Sequence, residues 1–98
     1  MRAKKKFLVV AYDITDDKRR KKVTKVLFRY GGVRVNFSVM ELSVTEQDCH
    51  RLIKEISDVI LQKEDTVIFY SLDVNSFSKI VYLRKNKGCR KSSKIKVV

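Results

Sequence analysis

Asp13 is the residue with the clearest chemical potential in this sequence. It closes an unbroken apolar run, Phe7 to Tyr12, and is followed by Ile14, Thr15, Asp16 and Asp17, then by five consecutive cations, Lys18 to Lys22. A carboxylate delivered to the mouth of a turn, with cations close behind, suits the holding of a hard divalent metal against a phosphodiester. The same residues also make an ordinary strand-to-helix connection, in which Asp13 merely caps the turn. No histidine accompanies it. The single histidine, His50, neighbours Cys49, and adjacent helical side chains project about 100° apart, a poor nucleophile–base pair. Any hydrolytic chemistry at Asp13 therefore needs a metal to generate the nucleophile.

The elements that must position Asp13 follow from the apolar pattern. Six apolar residues are too few for a free-standing helix and predict a strand buried on both faces. Thr15 or Asp16 can cap the helix that follows, because either side-chain oxygen can accept a first-turn N–H. Val23, Val26, Leu27 and Tyr30 recur at the spacing of an amphipathic helix, with Lys18, Lys21, Lys22, Lys25 and Arg29 on the opposite face. Gly31-Gly32 stops it, since glycine takes the left-handed cap conformation without a Cβ penalty. From Val33 to Val44 the alternation changes phase, which predicts a short strand, a turn or bulge near Asn36–Ser38, and a second strand ending near Ser43.

Thr45 and Asp48 resemble a capping box. The helix they open has Cys49, Leu52, Ile53, Ile56, Val59 and Ile60 on its apolar side. Thr66 to Leu72 predicts a fourth strand, Asp73 to Ser78 a polar turn, and Lys79 to Leu83 a fifth short strand. The order strand–helix–strand–strand–helix–strand is that of an α+β, ferredoxin-like domain (βαββαβ), an antiparallel sheet with two helices on one face. The bare sheet face and the leftover apolar residues of the fifth strand argue for a homodimer that buries both. The domain is expected over residues 1–83, with residues 84–98 as a basic, flexible tail.

Ninety-eight residues make one domain, long enough to bury roughly two-thirds of the surface its unfolded chain exposes. No run approaches the roughly 18 apolar residues of a membrane span. The short apolar run near the N-terminus ends in Asp13 without a small-residue cleavage site, which argues against a signal peptide and for a cytoplasmic location. Cys49 and Cys89 have no paired spacing and read as free thiols. The net charge of +12 is unevenly spread: +9 over residues 1–34, −5 over residues 35–73 and +8 over residues 74–98. Two basic zones around an acidic middle form an electrostatic footprint for a polyanion. The cations expected to meet phosphates are Lys18, Arg19, Lys21, Lys22 and Lys25 on the first helix, and Arg84, Lys85, Arg90 and Lys91 in the tail.

Tyr12-Asp13 at the end of the first strand, with Asp16-Asp17 and a basic helix behind it, resembles a known family. So does the segment Asn36-Phe37-Ser38-Val39-Met40-Glu41, whose family form runs Gln, aromatic, Ser, Val, Phe, Glu. Over residues 7–83 the chain is similar to the small CRISPR-associated protein number two, which works beside the CRISPR integrase in spacer acquisition. That resemblance implies a homodimeric ferredoxin-like fold whose last strand crosses to the partner's sheet. It also implies metal-dependent endonuclease activity on RNA or DNA, with Mg2+ or Mn2+ as cofactor. The family's metal-binding aspartate falls on Asp13 and its motif tyrosine on Tyr12. Arginines important to activity fall on Arg20 and Arg34, a further helix cation on Lys22, and the supporting loop on Ser38 to Glu41. Met40 replaces the motif phenylalanine and Asn36 the glutamine.

A second reading needs no active site: the basic zones hold duplex DNA for the integrase, and the chain is a non-catalytic scaffold. Both roles can coexist. An RNA-recognition domain fits less well, because its third strand should interleave aromatics with glycine, and Val33 to Glu41 offers one aromatic and no internal glycine. A small toxin-like ribonuclease of related fold is the remaining alternative.

Overall fold

The computed structural model describes residues 4–83. Four strands, β1 (Lys5–Asp13), β2 (Val33–Asn36), β3 (Val39–Thr45) and β4 (Thr66–Leu72), form one antiparallel sheet in the order β2-β3-β1-β4. Helices α1 (Asp17–Arg29) and α2 (Glu46–Val59) cross from β1 to β2 and from β3 to β4. This is the expected ferredoxin-like arrangement. β1 lies between β3 and β4, so its ladder bonds are satisfied on both edges.

Alternation along the strands separates two faces. Leu8, Val10 and Tyr12 of β1, with Met40, Leu42 and Val44 of β3, pack under Val23, Val26 and Leu27 of α1 and Cys49, Leu52 and Ile56 of α2. Phe7, Val9, Ala11 and Asp13 point the other way. That second face is only half-buried along β1, so the strand is not enclosed on both sides as its apolar run predicts. Tertiary context explains the run: Phe7 belongs to a smaller cluster with Phe77, Tyr82, Val35, Leu72 and Ile80 on the face away from the two helices.

Local signals act where expected. Asp16 rather than Thr15 caps α1, its side chain accepting from the Arg19 N–H at 2.9 Å. At the far end Gly31 has φ 90°, and the N–H groups of Gly31 and Gly32 donate to the Phe28 and Leu27 carbonyls at 2.9 Å each, a Schellman stop. A Cβ at Gly32 would lie 2.8 Å from the Leu27 carbonyl oxygen. The phase change in the third segment is a register shift between Arg34 and Asn36, with the reversal at Phe37–Ser38. Thr45 caps α2 by accepting from the Asp48 N–H.

Three expectations need correction. Ile53 is 40% exposed and stands outside the core stripe of α2, because Leu52 and Ile56 already define its inward line. Asp73–Ser78 is not a polar turn: the Asp73 carboxylate accepts from the Ser76 N–H at 2.7 Å and starts a one-turn helix, α3 (Val74–Ser78). Lys79–Leu83 forms no strand and pairs with no ladder among the described residues. The segment instead lies on the second face, where the Phe77 ring stacks on Phe7 at 4.4 Å and the Tyr82 hydroxyl donates to Glu41. The expected basic tail, with Arg84, Lys85, Arg90 and Lys91, and also Cys89, lies outside the described residues.

Candidate metal and nucleic-acid site

Asp13 is the last residue of β1, opposite Thr66 of β4, and its exposed carboxylate has no side-chain partner among the described residues. It projects to the sheet face away from the two helices, whereas the neighbouring Tyr12 ring is buried beneath α1 with its hydroxyl 3.2 Å from Thr24 Oγ1. Tyr12 is thus a packing residue that fixes the strand end. Its backbone N–H donates to the Ser38 carbonyl at 3.0 Å, which brings the β2–β3 turn alongside Asp13. Arg34 closes that turn from the helix side, donating to the Phe37 carbonyl at 3.0 Å while its guanidinium lies 5.8 Å from the Phe28 ring centroid.

Arg20 reaches the same end of the sheet. Its guanidinium donates to the Ile14 carbonyl at 3.1 Å and pairs with the exposed Asp17 at 2.6 Å. Asp13, Ser38, Arg20 and the turn closed by Arg34 therefore meet at one rim. Glu41 does not join them. It lies opposite Val9, four residues from Asp13, or about 13 Å along the strand at the usual rise, and Tyr82 holds its carboxylate.

Lys18, Lys21, Lys22 and Lys25 are exposed on the outer face of α1, with no ion pair among the described residues. Arg19, expected with them, is committed elsewhere. Its Nε donates to Asp65 Oδ2 at 2.8 Å and its Nη2 to Asp65 Oδ1 at 3.2 Å, with further contacts to Glu64 and Thr15. Asp65, next to Thr66, the ladder partner of Asp13, is the buried acid that sequence reasoning missed. Its fully buried carboxylate also accepts the Thr15 N–H at 3.2 Å and the Leu61 N–H at 2.9 Å. The Arg19 guanidinium, assisted by those two N–H groups, holds the Asp65 carboxyl well below the usual carboxylate range, against the opposing cost of burial. One signal was present: Arg19 precedes Val23 by four residues and Val26 by seven, which puts it on the inward stripe of α1.

Two other polar pairs brace the scaffold. Glu55 of α2 accepts from Tyr30 at 2.8 Å and from Arg29 at 3.0 Å, tying the end of α1 to α2; the bond to Glu55 raises the Tyr30 phenol above its ordinary value. Lys6 pairs with Glu46 at 3.1 Å and lowers that carboxyl. His50 is an exposed imidazole near Glu46, and Cys49 a buried free thiol, as their sequence positions suggest. No helix among the described residues is long and apolar enough to cross a membrane.

Comparison with known proteins agrees with this fold. Residues 6–80 match the family described as CRISPR associated protein Cas2. A CRISPR-associated endoribonuclease Cas2 from Chloroflexus aurantiacus is 42% identical over 69 residues, covering 70% of this chain and 73% of that protein. The crystal structure of Streptococcus pyogenes Cas2 superposes with a TM-score of 0.72 at 30% identity, over 80% of this chain and 99% of the other. A chain of a partial Cas6-RT-Cas1–Cas2 complex superposes with a TM-score of 0.62 at 29% identity, over 85% of this chain and 86% of that one. The fold and the extent of these matches lead to one conclusion: the chain belongs to the Cas2 family of CRISPR-associated proteins.

Proposed function

We propose that this chain serves CRISPR adaptation in the cytoplasm as a metal-dependent endonuclease that acts on RNA or DNA phosphodiesters and also holds duplex DNA beside the integrase. The observation that carries the reading is the Asp13 carboxylate, exposed and unpaired among the described residues, at a rim reached by Arg20 and by the β2–β3 turn. The names of relatives as CRISPR-associated endoribonucleases, and the likeness to a chain of a Cas1–Cas2 complex, support it.

The donor set fits a hard divalent cation. Among the described residues no three His, Cys, Asp or Glu side chains cluster as a closed site, and Asp13 offers oxygen only. Mg2+ and Mn2+ are commonly bound by one or two carboxylates with the remaining positions filled by water and phosphate. Held at Asp13, such an ion supplies charge stabilisation at the phosphoryl group and an activated water. The chain's own residues do the rest. Lys18, Lys21, Lys22 and Lys25 draw in and track the phosphate backbone. Arg20 stabilises developing charge once a phosphate displaces Asp17, an exchange at an exposed pair that costs little. Arg34 and Ser38 keep the adjoining turn in place, and Tyr12 anchors the strand end.

A homodimer completes the site. Ile68, Tyr70, Val81 and Leu83 leave apolar surface exposed on the second face and the C-terminal segment. A second copy packed on that face, with the 80–83 segments exchanged, buries this surface and brings the two Asp13 carboxylates toward one another, where their repulsion favours a cation between them. Residues 1–83 form the folded unit in this proposal, and residues 84–98 add a basic arm for nucleic acid.

The non-catalytic scaffold stays in play on one observation: Arg20 is engaged within its own chain and only one carboxylate per chain serves the rim. Asp13→Asn separates the readings. Cleavage of labelled RNA and DNA, with and without chelator, should fall by orders of magnitude in the variant, while thermal melts and duplex affinity stay close to those of the unmodified protein. Full activity in Asp13→Asn removes Asp13 as the metal ligand. Duplex binding without any chelator-sensitive cleavage in the unmodified protein leaves the scaffold.

A further inference from the structure

We infer that Asp65, through Arg19 and the Thr15 N–H, is the positioning residue that fixes the backbone from which the Asp13 carboxylate projects. The inference rests on Asp13 as the metal ligand and adds what holds it. The backbone is fixed at every step after Asp13. The Ile14 side chain is buried and its carbonyl accepts from Arg20; the Thr15 N–H donates to Asp65 Oδ1; Asp16 caps α1. From the other side, Asp65 immediately precedes Thr66, the ladder partner of Asp13. One buried carboxylate thereby ties the residues following Asp13 to the start of the strand that pairs with it.

The bonding of Asp65 is saturated in a way that a solubilising loop acid does not need. Two bonds come from the Arg19 fork, and two more from backbone N–H groups 46 residues apart, at Thr15 and Leu61. The Leu61 bond closes the α2–β4 loop on itself, and the Asp65 N–H donates back to the Leu61 carbonyl at 2.8 Å. A planar guanidinium bound through two nitrogens fixes direction as well as distance. That is the requirement for supporting a metal ligand, where groups outside the coordination sphere orient those within it.

The test uses the full-length protein, unmodified and as Asp65→Asn, Arg19→Lys and Asp13→Asn. Asp65→Asn keeps the volume and an acceptor for one backbone N–H but loses the charged fork; Arg19→Lys keeps the charge and loses the two-point contact. Mn2+ affinity by calorimetry should weaken in both, by up to the roughly 10-fold at the low end of what losing a partner bonded directly to the ligand costs. Hydrogen exchange at the Thr15 amide should accelerate by a similar factor, while exchange in the core of β1 and the melting cooperativity are retained. In cleavage assays the loss should appear in the metal concentration giving half-maximal rate, and saturating Mn2+ should restore most of the rate to Asp65→Asn but none to Asp13→Asn. Unchanged Mn2+ affinity in Asp65→Asn, with binding intact in the unmodified protein, overturns the positioning role and leaves the metal site standing. If the unmodified protein binds no Mn2+, the metal reading fails, and Thr15 exchange alone then decides whether Asp65 holds the turn; unchanged exchange overturns that too.

Discussion

The turn after β1 and the segment after β4 both lie at the sheet's margin, yet opposite kinds of contact hold them. Ile14 to Asp16 is fastened by directed polar bonds: a buried carboxylate, a two-point guanidinium and a helix cap. Asp73 to Leu83 is capped within itself by Asp73, but what fastens it to the sheet is mainly apolar surface, with Phe77 on Phe7, Leu72 and Ile80 beside them, and the Tyr82 hydroxyl donating to Glu41. Directed bonds fix angles, which a metal ligand requires. Apolar burial is non-directional, so a segment held that way can take an equivalent surface on a second copy. Directed bonding belongs to the first region and apolar packing, on which the proposed exchange relies, to the second.

The largest effect should come from removing the exchangeable region. Truncation after Asp73 takes away Phe77 and Tyr82 and uncovers Phe7 and Leu72. Sedimentation of the truncated protein should show monomer or aggregate where the full chain gives a dimer. A well-folded dimer surviving the truncation would break the assignment of exchange to this segment.

Nucleic-acid binding sharpens the contrast from the other side, since the polar region contains both committed and free cations. With about six to ten phosphate contacts per dimer, duplex affinity should drop roughly 10³- to 10⁵-fold between 50 and 200 mM salt. Replacing Lys18, Lys21 or Lys22 by Ala should lower the slope of log affinity against log salt by about 0.9 for each phosphate no longer neutralised. Arg19→Gln, which removes a charge as the lysine replacements do, should leave the slope as it is, because that guanidinium faces Asp65. A slope that falls equally at Arg19 would contradict the division between the two sets of cations. Sequence preference among duplexes should be slight, as phosphate contacts carry no base information.

The smallest effect is the pH dependence of stability. Asp65 is held below its ordinary value, so the folded state binds its proton less readily than the unfolded state does. Its contribution is fully present above the ordinary aspartate value of about 3.9 and is lost as pH falls below it. Tyr30 is raised by Glu55 and behaves in the opposite sense: its contribution is present below the ordinary tyrosine value of about 10 and is lost as pH rises past it. Thermal melts across pH should therefore fall at both extremes. Asp65→Asn should flatten the acid limb and Tyr30→Phe the alkaline one. An acid limb unchanged in Asp65→Asn would mean that other carboxylates, such as Glu46 or Asp73, carry it.

What was legible in the sequence was whatever local chemistry decides. The apolar spacing of Val23, Val26 and Leu27, the Gly31-Gly32 stop and the phase change before Val39 each specify their element without help from distant residues. Asp13 stood out because an apolar run ended on it. Asp65 did not, because Lys63-Glu64-Asp65 reads as a solvated loop, and the cation that buries it lies 46 residues earlier. A run of five like charges conceals which one turns inward, although helical phase points to Arg19. The short helix α3 was hidden for a different reason: five residues are too few to show periodicity, and only the Asp73 cap announces it.

In the proposed function Asp13, without a side-chain partner among the described residues, holds a divalent cation. Titrating Mn2+ into the 15N-labelled protein tests it most directly, because the ion broadens amide signals close to where it binds. The first signals to vanish should be those of Tyr12 to Thr15, Ser38 and Thr66, and Asp13→Asn should keep them sharp. Broadening centred on the exposed acids of α2, near Glu46 or Asp58, with Tyr12 to Thr15 unaffected, would contradict it.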